Sequence, residues 1–385
     1  MASALARDAD PLVNDGVLPT DALYEVLLRI PAKALCRLRL VCRSWRSLTS
    51  DPRFARAHSA RHPLFVGLNL REAEIHIVDL YSGNIVKRIY SANMAERVNG
   101  IGDLSMHLST QAGLVCVSTS MNNGARDIVL NPTTGAVNIL PNGNRPNTVS
   151  SCILGHVPST REYKVLRLSY YNTAKANNRV AFEVIALAGG GGQRWRVKPS
   201  PVNISAYFRR IAVVHGVAYF SVRKSSDNDD NDDGSSMVPN IALFNLATEE
   251  WRPTTLPGPI SKHLYQEGDV TQFDCLDGFL AIIHHKKRSD CSTDIWFLMH
   301  VDMDSSRPYW TKRYSMRCVS HWKHATFYPP RPLVILDDGR IVASLEMQYA
   351  LRVYDPSTDT WEDLTKLGDY FAIRMHHGSL LCSHC

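Results

Sequence analysis

Asp355-Pro356-Ser357-Thr358-Asp359-Thr360-Trp361 is the stretch that decides the fold, because three variants of it recur along the chain. They are Asp79-Leu80-Tyr81-Ser82-Gly83, Asn131-Pro132-Thr133-Thr134-Gly135 and Asn245-Leu246-Ala247-Thr248-Glu249-Glu250-Trp251. Each opens on Asp or Asn, whose side-chain oxygen accepts backbone N–H groups; Pro fixes φ and Gly supplies positive φ, so each closes a hairpin. With Asp302 included, the anchors Asp79, Asn131, Asn245, Asp302 and Asp355 are spaced by 52, 114, 57 and 53 residues. The long gap is two periods, and Leu187 stands near the missing midpoint. Trp195, Trp251, Trp310 and Trp361 repeat the period with gaps of 56, 59 and 51. Four-stranded propeller blades have repeats of this order. Five or six blades would occupy residues 64–385, with the tryptophans starting strands and filling the gaps between blades.

The segments between these turns agree. Glu74–Leu80, Asp127–Leu130, Val165–Leu168, Val180–Ala188, Ile211–Val222 and Leu351–Tyr354 are short β-rich runs separated by Gly, Pro, Asn and Asp. Residues 18–60 differ in period. Pro19, Thr20 and Asp21 open a helix in which Leu23, Val26, Leu27 and Ile30 form one apolar stripe, and Pro31 closes it. Leu35, Leu38, Val41, Trp45 and Leu48 continue at helical spacing with arginines between them, and Asp51-Pro52 is expected to end the helical part. Some forty helical residues fall short of the roughly 70 to 80 that sustain a core unaided, so this segment should need a partner surface. Three domains of sequence result: a flexible segment 1–17, a helical unit 18–60 of three helices, and an all-β propeller 61–385.

Charge narrows the partners. The chain carries a formal +6, yet residues 29–61 hold nine cations against the single acid Asp51, leaving the remainder at −2. The propeller therefore has no basic surplus to follow a nucleic-acid backbone, and the helical end calls for an acidic partner. Nine scattered cysteines fit reduced thiols and a cytoplasmic or nuclear location. Met1 to Val17 is broken by Arg7, Asp8, Asp10 and Asp15 and does not read as a signal peptide; no run of about 18 apolar residues could span a bilayer.

The run Leu18-Pro19-Thr20-Asp21 through Leu35, followed by Arg37-Leu38-Arg39-Leu40-Val41-Cys42-Arg43-Ser44-Trp45 and Asp51-Pro52-Arg53-Phe54, closely resembles the F-box. The remainder is similar to the F-box-associated, kelch-like propeller region of a large plant family. Gly113-Leu114-Val115-Cys116, Asn131–Gly135, Leu140-Pro141, Tyr163-Lys164-Val165, Trp195-Arg196, Val214–Tyr219, Leu246–Trp251, Leu256-Pro257 and Asp294-Ile295-Trp296 carry that likeness. The resemblance implies a substrate-recognition adaptor of an SCF-type (Skp–cullin–F-box) ubiquitin ligase. The F-box would dock on a Skp-family adaptor, and through it on cullin, while the propeller holds an unidentified target protein near the ubiquitin carrier. Leu18, Pro19, Leu23, Leu27, Ile30, Pro31, Leu35, Val41, Cys42 and Trp45 match the motif and are the Skp-docking candidates it implies. Alternatives are a scaffold, Skp-bound or free, without degradation, and a propeller that takes glycans or small ligands in its central mouth, where loops 142–147 and 170–178 could converge.

No motif competes as chemistry. Asp227–Gly234 has partial calcium-loop spacing, but its twelfth position is Asn240 and its flanks are strands. Cys382 and Cys385, with His384, His376 and His377, lack a second ligand pair at zinc-site spacing. Gly189–Gly192 has no following helix to cradle phosphate, and His284–Arg288 reads as an exposed basic loop. Neither G-x-S-x-G, H-E-x-x-H nor a glycosidase-like carboxylate pair can be placed, so neither catalysis nor a cofactor is expected.

Overall fold

The computed structural model describes residues 19–69, 74–91, 105–120, 126–143, 150–173, 176–187, 194–205, 207–222, 240–261, 265–266, 268–287, 291–300, 309–317, 329–345, 350–366, 370–378 and 380–381. The chain forms two compact units, residues 1–62 with 379–385, and residues 63–378. Leu18, Asp302, the acidic run 227–234, the glycines 189–192, the cysteines 382 and 385 and the proposed flexible segment 1–17 lie outside the described residues.

The first unit holds four helices, α1 (Thr20–Leu28), α2 (Ala32–Leu38), α3 (Arg43–Ser50) and α4 (Pro52–Arg61), where the sequence suggested three. Asp51-Pro52 does end α3, but it also starts α4. The Asp51 carboxylate accepts from Arg53 N at 2.7 Å, and Pro52 stands at the first turn, where its missing N–H costs nothing. The single helical run from Lys33 to Thr49 is likewise broken at 39–42, and Cys42 Sγ caps α3 by accepting from Trp45 N. Leu27, Leu28, Leu35, Phe54 and Leu381 make the core. His58 and His62 on α4 hold the Ile30 and Leu28 carbonyls at 2.8 and 2.9 Å, tying the end of α1 to α4. Arg39, expected on the outer face, is 3% exposed and bonds Thr49 through Nε and Nη2.

The second unit is a six-bladed propeller. Blade 2 runs Ser105–Gln111, Leu114–Ser120, Arg126–Leu130 and Val137–Ile139; blade 3 runs Ser150–Val157, Glu162–Thr173, Ala176–Ala186 and Arg196–Val197. Blade 4 comprises Ile211–Val214, Val217–Ser221, Asn240–Asn245 and an outer strand in two pieces, Glu250–Trp251 and Leu256–Pro257. Blade 5 is Val270–Leu276, Phe279–Lys286, Ser292–His300 and Tyr309–Arg317, and blade 6 is Arg331–Ile335, Ile341–Leu345, Ala350–Asp355 and Thr360–Lys366. Blade 1 is shared between the ends of the ring: Leu64–Asn69, Glu74–Asp79 and Ile85–Ser91 receive Tyr370–His376 as their innermost strand. Strands within each blade pair antiparallel, and the six innermost strands pack side by side around the axis.

Sequence explains the hairpins locally. Ala112-Gly113, His215-Gly216 and Asp277-Gly278 each join an innermost strand to its neighbour with positive φ at both residues, the two-residue turn that matches strand twist. The run Ile211–Val222 is accordingly a hairpin and not one strand. At the outer turns, Asp79, Asn131, Asn245 and Asp355 accept from the backbone N–H two residues on, and the residue four on has positive φ: Gly83, Gly135, Glu249 and Asp359.

The two non-glycine members of that set anchor neighbouring blades. Glu249 of blade 4 is held by Lys164 at 3.0 Å, Lys198 at 3.4 Å and Arg196, all of blade 3. Asp359 of blade 6 pairs with Arg317 of blade 5 at 3.1 Å. The tryptophans do the same work with apolar surface. Trp195, Trp310 and Trp361 donate through Nε1 to the carbonyls of Pro141, Pro257 and Arg317 in the preceding blade. Trp251 instead packs on Phe182 of blade 3 and on Phe220 and Phe244 of its own blade, with ring centroids 4.9 to 5.2 Å apart.

One sequence expectation fails here. His284, His285 and Lys286 lie within the strand Phe279–Lys286 and not in an exposed loop. His284 and Asp269, each 2% exposed at the side chain, bond at 2.9 Å, and His285 bonds Thr293. A buried carboxylate lets an imidazole sit where the pattern demanded an apolar residue.

Trp251→Ala should therefore destabilise the propeller by about 3 to 5 kcal/mol in denaturant unfolding; a change within error would place the ring outside the core. The cations around Glu249 overcome the opposing effect of burial and hold its pKa at about 2, below the ordinary 4.5. A depressed carboxylate pKa stabilises the fold above the unfolded value and is lost as pH falls through the folded one. Glu249→Gln should thus remove part of the stability lost between about pH 4.5 and 2, seen as a shallower acid-unfolding curve.

Candidate functional site

The helical unit divides the motif residues into two groups. Leu27 and Leu35 are fully buried and build the core of the unit. Leu23, Ile30 and Trp45 are half-buried, while Pro19, Pro31, Val41 and Cys42 are exposed. The most exposed apolar side chain is one the helical pattern passed over: Leu40 is 78% exposed, beside Val41 at 63%. Both sit in the break between α2 and α3, where the backbone turns the side chains outward. Val26 on α1, assigned to the buried stripe, is 48% exposed. The signal for Leu40 was present as an apolar pair, Leu40-Val41, where the α2–α3 junction leaves only one helical register for the core.

Lys33, Arg37, Arg43, Arg46, Arg53 and Arg56 are also exposed. Arg61 pairs with Glu25 at 3.0 Å. An apolar knuckle flanked by cations is suited to an apolar pocket rimmed by carboxylates.

The propeller offers a cavity of about 490 Å³ on its axis, lined by the innermost strands of all six blades. Leu108, Ile153, Val213 and Leu333 give it apolar wall, and His107, Arg331 and Arg374 give it polar wall. Arg331 Nε and Nη2 both reach Asp274 Oδ2, at 2.9 and 2.5 Å, joining blades 6 and 5. Burial, with Arg374 and Arg209 nearby, lowers His107 to about 4, so it is neutral at neutral pH. Among the described residues that line it there is no Trp, Tyr or Phe. The loops proposed to converge at the mouth are described only in part: 142–143 are irregular, and 170–173 and 176–178 belong to a long hairpin.

A protein-family model for the F-box domain matches residues 17–56, and one for the F-box associated beta propeller domain matches residues 84–363, more than half of the chain. The chain belongs to the F-box-associated β-propeller family. Similar members are F-box proteins of Arabidopsis thaliana. One is 28% identical over 56% of this chain and 56% of its own length; two putative F-box proteins are 23% and 25% identical over 79% and 84% of this chain and 75% and 82% of theirs. The match thus spans about half the length of the first relative. Among solved structures, TolB from Acinetobacter baumannii is similar at TM-score 0.46 and 10% identity, over 83% of this chain and 67% of that one, a likeness too loose to bear on function. Along this chain the F-box match precedes the propeller match.

Burial changes which substitution reports on docking. Leu27→Asp puts an unpaired charge into the four-helix core and should unfold the helical unit, losing its helical circular dichroism. Val41→Asp, on the surface, should leave the spectrum intact; equal loss in both variants would mean Val41 is a core residue.

Proposed function

We propose that this protein is the substrate-recognition subunit of an SCF-type ubiquitin ligase, docking on a Skp-family adaptor through the exposed Leu40-Val41 knuckle and presenting a target protein on its propeller. The observation that carries the reading is that pair of apolar side chains, 78% and 63% exposed, on an F-box unit whose own core is filled by Leu27, Leu35 and Phe54. Exposed apolar surface at a motif position is surface kept for a partner. Pro19, Leu23, Ile30, Pro31, Cys42 and Trp45 surround it on the motif and complete the docking set, while Leu27 and Leu35 support it from beneath.

In this reading the chain is non-catalytic. It raises the effective concentration of a target lysine near the ubiquitin carrier, and the bond-making groups belong to other subunits. The propeller, kelch-like in its four-stranded blades of about 50 residues, is the rigid platform for the target. Partners are a Skp-family adaptor, cullin through it, and one target protein, in the cytoplasm, the nucleus or both; neither membrane nor nucleic acid is engaged directly.

Co-expression with a Skp-family adaptor tests this. The wild-type chain should co-elute one-to-one, and Leu40→Asp combined with Val41→Asp should lose co-elution while keeping a cooperatively melting propeller. Failure of the wild-type chain to co-elute, or co-elution undiminished in the double variant, would remove the docking assignment.

A further inference from the structure

We propose that the axial cavity of the propeller is a binding site for a small organic anion, with Arg331 and Arg374 as the groups that receive it. The proposal is independent of the adaptor reading, because it concerns only the innermost strands of the ring.

Three features of the cavity point the same way. The first is an incomplete ion pair. Arg331 is 5% exposed, its Nε and Nη2 share the single oxygen Asp274 Oδ2, and its Nη1 has no hydrogen-bond partner among the described residues. A guanidinium fork can bind two oxygens in parallel, so one face of this one is unused. An unsatisfied donor on a buried cation is expensive unless something completes it.

The second feature is charge. Arg374, from the neighbouring blade, lines the same cavity, and the cations Arg374 and Arg209 both act on the His107 imidazole. Two carboxylates face them. Asp274 is committed to Arg331, and Asp277 stands at the hairpin end of the wall, where burial raises its pKa against the opposing pull of Arg313 and His377. Arg374 Nη1 also donates to the Ile373 carbonyl at 2.8 Å, and two guanidinium groups on one low-dielectric cavity attract an anion.

The third feature is size and lining. About 490 Å³ lies within the range of small-molecule sites, and Leu108, Ile153 and Leu333 offer apolar wall beside the guanidinium groups. The fitting ligand has one carboxylate or phosphate and a compact apolar or hydroxylated body. Its acidic oxygens would accept from Arg331 Nη1 and from Arg374, and its body would fill the axis between the six strands, bracing them against one another.

The test uses the full-length chain and three probes, benzoate, citrate and inorganic phosphate, at constant ionic strength made up with chloride, with benzyl alcohol as the uncharged counterpart of benzoate. At least one anion should raise Tm in a saturable way by about 2 °C or more, since a ligand that binds only the folded state stabilises it by mass action. Benzyl alcohol should not. Arg374→Gln should weaken the affinity of that anion at least tenfold by calorimetry, and Arg374→Lys should weaken it less. Asp274→Asn, which releases the Arg331 fork, should strengthen binding and enlarge the Tm shift, a change opposite in sign to any general loss of stability. The proposal is overturned if none of the three anions shifts Tm beyond chloride, if benzyl alcohol matches benzoate, or if the shift is the same in Arg374→Gln and Asp274→Asn as in the wild type.

Discussion

The strand Tyr370–His376, paired along Leu64–Asn69, is the constraint on which the propeller depends. Six twisted blades side by side leave two raw edges unless the last is joined to the first, and exposed edges invite pairing with other chains. Here the chain crosses some three hundred residues before its end returns to its beginning, so the entropy of closing a very long loop has to be recovered at one seam. The contacts at that seam are specific. Tyr370 donates or accepts at His76 Nδ1 over 2.7 Å, His76 Nε2 meets Glu74, and the Tyr370 ring stands edge-on to Phe65. Gly67 makes room for it, because a Cβ there would come within 2.5 Å of the ring. Below the seam, Phe65, Val78, Val342, Leu351 and Ile373 join blades 6 and 1 in one apolar cluster.

Once the ring is closed, four of its outer turns use the same local device in different chemistry. An Asx-anchored turn places its fifth residue in the left-handed region and delivers the outer strand immediately afterwards. Where that fifth residue is Gly83 or Gly135 the turn is unstrained; where it is Glu249 or Asp359 the carboxylate is pinned by cations of the blade before. Left-handed backbone at a non-glycine residue costs on the order of 1 kcal/mol or more, a cost that the ion pairs at these two positions help to offset. Buried polar links recur deeper in the ring. Arg167, 1% exposed, stands 3.7 Å from Asp127 of the preceding blade, with Ser118 completing the carboxylate at 2.5 Å. Such links specify which blade meets which, where apolar packing alone would accept several registers.

Local chemistry was legible and long-range chemistry was not. The turns at Asp79, Asn131, Asn245 and Asp355 and the wedge role of the tryptophans could be read because each depends on neighbours within a few residues. Blade number stayed between five and six because Asp302 lacks the Pro and Gly of the other turns and long loops interrupt the repeat. The fourth helix was hidden by Asp51-Pro52, a pair that ends one helix through the Asp51 N–H and caps the next through the Asp51 carboxylate. Leu40 was missed because a helical stripe was carried across the break between α2 and α3. Arg331 with Asp274, and His284 with Asp269, could not be found at all: a strand pattern registers charged residues as exposed, and only the fold brings their partners alongside.

The two units thus have different physical characters, one small and basic with apolar surface left uncovered, the other large, closed and internally cross-linked. The account assigns them different partners, and hydrogen exchange on the full-length chain with and without a Skp-family adaptor tests that assignment most directly. New protection confined to the helical unit, centred on residues 37–46, with exchange across 63–378 unchanged, is the predicted result. Protection arising in the propeller with none in the helical unit would contradict it.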